Sequence, residues 1–547
     1  MDGNELIAKI LKSEGVEWMA CFPSNPLIEA VAKEGIRPIA FRHERGAVMA
    51  ADGFSRTSGP NRFGVVAVQN QAGAENALGG IAQAAADNIP ILFLPGGNPL
   101  HQLAVRPNYN VSDNYRGVVK HVEAVYRADM LVNVMRRAFA GLRNGAPGPM
   151  VVELTSDVVA SDTPLALEDY TSPRAAVHVP SNGDIKDAAQ KLVDAKRPLL
   201  WVGGGVLAAA ATEELRELAE LLAAPVFTTM QGKSAIDERH PLALGAGSGA
   251  TTGPADAWLD SCDVMAALGS SLVRTPYAQA VRQDAFIIHN TNNPTEIDKE
   301  EIAGIGLVGD TKLTLQLLLD EVKALIGDTP RNSSAIAEEI ATIRAQWLEE
   351  WTPLLTSDTQ PLNTYRVIQE INDNIDLENS IVTHDAGAPR DSIIPFFNAT
   401  TPHSYVGWGK TTHLGFGIPL MIGAKLANPD RFCLNLMGDG AFGMSGTDIE
   451  TAARSKVAIT TVLLNNGGMA TYPGGFPTAR EQYGVSHMIG DYAQIAEGMG
   501  ATGITVKTPT ELADALKAAQ KHNTEGDTVL IDVHSDMEGR RSRFTRP

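Results

Sequence analysis

Cysteine is scarce in this chain. The three present, Cys21, Cys262 and Cys433, lie far apart with no CxxC spacing, which suggests neither a disulfide framework nor a zinc site and fits a reducing cytoplasm. Basic charge is short as well: 45 Lys and Arg face 64 Asp and Glu, for a formal charge of -19 and a pI near 5.1. A general nucleic-acid or anionic-membrane surface needs a basic patch, so neither partner is expected, although a local basic site is compatible with this balance. No apolar run approaches the ~20 residues of a membrane helix. The start, Met1-Asp2-Gly3-Asn4-Glu5, is acidic where a signal peptide opens basic. A cytosolic protein is the expectation.

What remains is the composition of a packed enzyme-sized body. With 44% hydrophobic and 20% charged residues, wholesale disorder and fibrous classes are set aside. A single core stops growing near ~250–300 residues, so this chain is expected to form three domains. Short apolar runs such as 64–68, 90–94 and 150–154 alternate with Ala-rich amphipathic stretches such as 44–56 and 131–142. That is the pattern of βα units around parallel sheets and predicts an α/β fold. The alternation breaks at 162–182, rich in Pro, Ser, Thr and charge, and at 328–361, where polar residues, Pro353 and Pro361 surround one predicted helix. These breaks give expected domains 1–165, 183–328 and 362–547, each with a mostly parallel sheet flanked by helices. Segments 89–97 and 458–468 echo one another, but any two buried strands ending in a glycine turn do so.

The most informative segment begins with an apolar strand at 432–437, followed by Gly438-Asp439-Gly440, a helical stretch at 445–454 and a second strand at 457–464 that ends in Asn465-Asn466. In a parallel βαβ unit both strands end on one carboxyl edge, which brings Asp439 and Asn466 together. A carboxylate, an amide oxygen and a backbone carbonyl form a hard-oxygen site of the kind magnesium takes beside phosphates. The glycines let backbone N–H groups approach a diphosphate. A GDG on its own reads as a glycine turn with a solvated Asp. Together with the later NN, the pattern resembles the diphosphate motif of thiamine-diphosphate enzymes. The resemblance implies thiamine diphosphate and Mg2+ as cofactors, with Asp439, Asn466 and the Gly468 carbonyl as metal ligands. It implies further cofactor contacts from Gly387, Ala388, Gly438, Gly440, Ala441 and Met469.

A second signature, Arg42-His43-Glu44 followed by Ala50-Ala51-Asp52-Gly53-Phe54-Ser55-Arg56, looks like the RHE and AADGYAR stretch of the acetohydroxyacid synthase superfamily. A glutamate at a helix start is by itself a dipole partner. By this resemblance Glu44 hydrogen-bonds the cofactor's aminopyrimidine ring, the proton transfer that activates thiazolium C2. The resemblance also implies a homodimer or homotetramer, because in that superfamily the pyrimidine glutamate and the diphosphate motif of one site come from different subunits. The stretch 409–419 is similar to the superfamily's GTMGYGLP. There Leu414 takes the place of the hydrophobe that bends the cofactor, and Thr412 offers its carbonyl to the amino group. Flavin-binding members carry an RFDDR-like stretch; the corresponding residues here are Ser271-Leu272-Val273-Arg274-Thr275-Pro276. FAD is therefore not expected, despite Gly203-Gly204-Gly205 after a strand.

The substrate is less constrained. Ser24 and Asn25 occupy the glycine-turn position near C2 in relatives, where a carboxylate-binding role and an Asn-Pro turn are equally consistent readings. Gln69, Asn70 and Gln71 fall where relatives carry TSG or a catalytic histidine; Gln69 and Gln71 would orient a substrate carbonyl without titrating, and Asn70 would contact cofactor. His413 replaces the usual threonine and is a candidate acid or base. The expected activity is decarboxylation or carboligation of 2-oxo acids, acetolactate-synthase-like. The alternative is a 2-hydroxyacyl-CoA lyase or oxalyl-CoA decarboxylase, which residues 440–451 resemble; Arg540, Arg541, Arg543 and Arg546 near Phe544 would then meet CoA phosphates. Such basic tails are more often solvated or disordered. The Tyr-Glu pair of the CoA branch is not evident around Asn108-Tyr109-Asn110, and the tryptophan segment of acetohydroxyacid synthases is absent at 469–472. A non-catalytic assembly paralogue is disfavoured because Glu44, Asp439 and Asn466 are all present.

Overall fold

The structure, a computed structural model, describes every residue except 104, 283, 470–474 and 545–547. The chain forms three six-stranded sheets, and each neighbouring strand pair in them is parallel. Strands such as Gly64–Val68, Pro198–Val202 and Ser380–His384 are buried along their whole length, as expected where helices cover both faces. No helix among the described residues is long and apolar enough to cross a membrane.

The first and third sheets share one strand order. In the first it runs Arg37–Ala40, Trp18–Cys21, Gly64–Val68, Ile91–Gly97, Met150–Thr155, His121–Ala124. In the third it runs Tyr405–Val406, Ser380–His384, Phe432–Gly438, Thr460–Asn465, Val529–His534, Thr502–Val506. Numbered within each domain, both are 2-1-3-4-6-5. The echoing segments 89–97 and 458–468 thus contain the fourth strand of equivalent sheets. The central sheet differs, running Ile305–Val308, Phe286–Thr291, Val264–Leu268, Pro198–Val202, Val226–Thr229, Ala243–Gly247. Its order reverses between Pro198–Val202 and Val264–Leu268, the doubly wound arrangement.

A single apolar core joins the first and third domains, with Val48, Met49 and Phe54 packed in one cluster with Ile418, Leu420 and Ile422. Helices Glu44–Thr57 and Gly417–Ala427 each follow the second strand of their domain and cross at two glycines. A Cβ on Gly53 would lie 2.1 Å from the Leu420 carbonyl oxygen, and one on Gly423 1.8 Å from that of Ala50. Only glycine permits this approach. The helix Ser334–Leu355 carries Trp347 and Trp351 against Phe396 of the third domain. The helix expected at 445–454 is instead two, Asp439–Ser445 and Asp448–Arg454. The first opens on Asp439 itself, whose carboxylate accepts from the Gly440 amide at 2.8 Å and complements the positive end of the helix.

Candidate active site

The third sheet aligns Gly438 with Leu464, so the residues that follow, Asp439 and Asn465-Asn466, emerge together. Asp439 is 1% exposed. Its Oδ1 accepts from Gly440 N, and its Oδ2 accepts from Gly467 N at 2.9 Å. Asn466 Oδ1 accepts from Gly468 N at 3.0 Å. Burial pushes the Asp439 carboxyl above its ordinary range, while the glycine amides oppose that rise. A desolvated carboxylate held by glycine amides, at a turn that also carries the Asn466 amide oxygen, fits a hard divalent cation. Met469 packs on Gly440, where a Cβ would lie 3.0 Å from its Cγ. Gly387, at φ +85°, and Ala388 open helix Ala388–Phe396 at the end of the neighbouring strand. Among the described residues another candidate cluster, His522, Glu525 and Asp527, lies elsewhere on helix Pro509–Thr524 and the turn after it.

Glu44 opens its helix after His43, whose Nδ1 caps Arg45 N at 3.1 Å. Glu44 is 3% exposed, and its Oε2 accepts from Asn76 Nδ2 at 3.0 Å. The next residue, Arg45, donates to the Met444 carbonyl at 3.2 Å, on the helix that Asp439 begins. Arg42 N donates to Asp448 Oδ1 at 3.1 Å. The start of the Glu44 helix therefore abuts the helices that follow the GDG turn within one chain. His413 packs on Gly79, where a Cβ would be 2.8 Å from its Cε1. Burial, with Arg45 nearby, holds the imidazole below its ordinary pKa, and so neutral near pH 7. Leu414 packs, partly buried, against the shared core, and Thr412 holds φ +54°.

The first sheet's carboxyl edge is built from amides. Asn25 donates to Val68 O and Leu94 O, at 2.9 and 3.2 Å, and accepts from Leu27 N. These bonds tie the Asn25 turn to the end of strand Gly64–Val68 and to strand Ile91–Gly97, and engage the whole side chain. Gln71, at φ +54°, donates to Asn98 Oδ1 at 2.7 Å and Asn108 Oδ1 at 3.2 Å, and accepts from Tyr109 N at 2.8 Å. Asn70 donates to the same Asn98 oxygen at 3.2 Å. Ser24, exposed, donates to Gln69 Oε1 at 3.0 Å. Ser24 and Gln69 thus meet at the edge, while Asn25 and Gln71 serve as clasps. The sequence reading missed Asn76, Asn98, Gln83, Asp87 and Asp385. Asn98 and Asp385 directly follow strands at carboxyl edges, a positional signal that was available; nothing in an Ala-rich helix distinguished Asn76 or Gln83.

Comparison with known proteins bears on this geometry. Residues 1–121 match the N-terminal TPP binding domain of thiamine pyrophosphate enzymes, 185–318 their central domain and 385–533 their C-terminal TPP binding domain. A probable acetolactate synthase large subunit of Methanococcus aeolicus is 30% identical over 95% of this chain and 90% of its own length. One from Methanocaldococcus jannaschii is 30% identical over 98% and 92%. The acetolactate synthase isozyme 3 large subunit of Escherichia coli is 28% identical over 98% and 95%. The chain belongs to the thiamine-diphosphate enzymes of the acetolactate synthase superfamily. It is a thiamine-diphosphate-dependent enzyme.

Two other features of this thiamine-diphosphate enzyme bear on its substrate. The basic tail is docked through Arg543, in contrast to the solvated or disordered tail expected. Arg540 stacks over Trp351 at 4.3 Å, Arg541 donates to the carbonyls of Glu538 and Arg540, and Arg543 pairs with Asp391 at 2.6 Å. Ser542, 2% exposed, accepts from Trp347 Nε1 and donates to Thr251 O. Backbone–side-chain pairing supplies what the sequence could not reveal; Arg546 lies outside the described residues, as do 470–472 of the segment compared with the tryptophan stretch. The central sheet opens, at its order reversal, into a cavity of about 690 Å³. Gly203, Gly269, Ser271 and Arg274 line it, so the segment that argued against FAD forms part of its wall.

Proposed function

We propose that this enzyme is a magnesium-dependent decarboxylase or carboligase of 2-oxo acids, acetolactate-synthase-like in its reaction. The docked tail carries the choice over a CoA thioester. The three described arginines are already engaged with Trp351, with backbone carbonyls and with Asp391, so they offer fewer free donors, and in set orientations, to a phosphate. Bound at this site, thiamine diphosphate supplies the carbon nucleophile and the electron sink that carbon–carbon cleavage needs. Asp439, Asn466 and the Gly468 carbonyl would hold Mg2+ against the diphosphate. Glu44 would share a proton with the aminopyrimidine ring, and the Thr412 carbonyl would accept from its amino group. Leu414 would bear on the cofactor as an apolar wedge. Ser24 and Gln69 lie at the edge where an uncharged pair would bind a substrate carboxylate or carbonyl. His413, neutral near pH 7, serves as wall or acceptor rather than as a charged acid.

The proposed setting is cytoplasmic, consistent with three buried cysteines that form no disulfide. A homodimer or homotetramer with cofactor at the subunit interface is supported by exposed Phe476, Tyr483, Val485 and Ile489. These follow the metal motif and form the kind of apolar surface that a partner covers. We also propose that no flavin is required: Arg274, the cation lining the central cavity from the compared segment, is bidentate to Glu301 at 2.7 and 2.9 Å. Purified enzyme should lack flavin absorbance near 450 nm. Carbon dioxide and aldehyde or acyloin formation from pyruvate, benzoylformate, oxalyl-CoA and a 2-hydroxyacyl-CoA tests the substrate class. Turnover confined to the thioesters would overturn the reading.

A further inference from the structure

The loop 409–417 adopts a costly conformation. Gly409, Thr412 and Gly415 hold φ of +112°, +54° and +79°, and for a β-branched residue such as Thr412 this region is strained. A strained loop persists only where its surroundings over-determine it. Here the determinants come from two domains. Asp385, 0% exposed, accepts from Gly415 N and Gly417 N, each at 2.9 Å, and from Ala386 N at 2.8 Å. From the first domain, buried Asp87 accepts from Gly409 N at 2.9 Å and Lys410 N at 3.1 Å. Gln83, also 0% exposed, accepts from the Thr411 hydroxyl at 2.7 Å and donates to Asp87 at 2.9 Å. Arg56 closes the network on Asp87 at 2.9 Å.

We infer that Asp385 and the Gln83–Asp87 pair are positioning residues, forming a two-domain clamp that sets the geometry of Thr412 and Leu414 toward the cofactor. The inference rests on the proposed roles of Thr412 and Leu414, but the clamp itself is testable without them. Asp385 follows strand Ser380–His384 at the carboxyl edge, and its position is fixed by its own amide, which donates to Leu436 O at 2.7 Å. Burial pushes its carboxyl up to about 6, opposed by the Gly417, Gly415 and Ala386 amides and by Arg45. An amide in its place offers one acceptor where two loop N–H groups point, and sets an NH2 donor against the other.

Two variants and one wild-type measurement test the clamp. In cofactor-free protein, Asp385→Asn and Gln83→Met should each raise the rate of tryptic cleavage after Lys410 by about tenfold or more, because a released loop opens locally. With saturating thiamine diphosphate and Mg2+, the same variants should slow exchange of the cofactor's C2 proton by about tenfold or more while cofactor Kd changes less than about threefold, since misplacement weakens activation more than binding. Unchanged cleavage in both variants overturns the clamp. Raised cleavage with unchanged C2 exchange upholds the clamp and overturns the roles assigned to Thr412 and Leu414. Should the variants fail to fold, hydrogen exchange of the wild-type apoprotein decides. The Gly415 and Gly417 amides should be protected by about 100-fold or more over an unstructured peptide, and free exchange there overturns the proposal.

Discussion

The first and third domains place different chemistry on one scaffold. Both have strand order 2-1-3-4-6-5, and in both the residues after strands three and four meet across the carboxyl edge. In the third domain that meeting is Gly467 N on the Asp439 carboxylate, with Asn466 alongside. In the first it is Gln71 and Asn70 on the Asn98 amide. One edge carries a desolvated anion suited to a cation and a diphosphate; the other is neutral and self-satisfied. The positions after strand two differ in the opposite sense, with the Glu44 carboxylate opening the first-domain helix and the uncharged loop 411–416 preceding the third-domain one. Topology fixes where a site forms, while the residues at the edge fix what it does.

Perturbing each edge separately sharpens this contrast. The largest effect is expected at the first-domain carboxylate proposed to meet the cofactor: Glu44→Gln should leave fold and cofactor binding intact yet slow C2-proton exchange by about 100-fold or more, as loss of a positioned acid–base group does. Proton-exchange NMR of the bound cofactor measures it, and wild-type rates would remove Glu44 from that role. On the amide edge, Gln71→Leu leaves Asn108 Oδ1 and Tyr109 N without this partner, while Asn98 Oδ1 keeps only Asn70. It should cost about 2–4 kcal/mol of stability through these unpaired groups but change cofactor affinity less than about threefold. A large affinity loss without destabilisation would make Gln71 a ligand group and break the comparison. Deleting 538–547 removes Ser542's buried bonds and the Arg540–Trp351 stack, so the melting temperature should fall by several degrees. Intact enzyme should show no CoA binding at low salt.

The smallest effect concerns the seam between the two domains. Burial pushes Asp448 up to about 6, opposed by Arg42 N and the Thr451 hydroxyl. The folded state therefore holds a proton that the unfolded carboxyl, near 3.9, has lost. Stability is greatest below that lower value and falls as pH rises through the window up to about 6. Asp448→Asn should flatten this slope by roughly 1–3 kcal/mol. Thermal melts from pH 4 to 7 check it, and an unchanged slope would show that Asp448 does not carry the titration.

Much of this was legible because it is local. Strand runs, the GDG and NN pair, and the RHE segment are contiguous, and parallel connectivity alone brings Asp439 to Asn466. What escaped depends on partners distant in sequence. Gln71 read as a group that orients a substrate carbonyl, and Asn25 equally as a carboxylate binder or an Asn-Pro turn, yet their amides close on Asn98, Val68 and Leu94. The tail read as solvated because nothing in Arg540–Arg541–Ser542–Arg543 announces Trp351, Trp347 or Asp391 as receivers. Asp385, Asp87 and Gln83 acquire their function from a loop that sequence alone does not show to be strained.

The central claim is that the third edge is a metal-dependent diphosphate site and the first is not. Titration calorimetry of thiamine diphosphate, with and without Mg2+, on wild type and Asp439→Ala addresses it directly. Wild type should bind tightly only with the metal, and the variant should lose on the order of 100-fold in affinity and all metal dependence, because the diphosphate loses its charge-compensating ligand. Asp439→Ala protein that keeps wild-type, magnesium-dependent affinity would contradict the account.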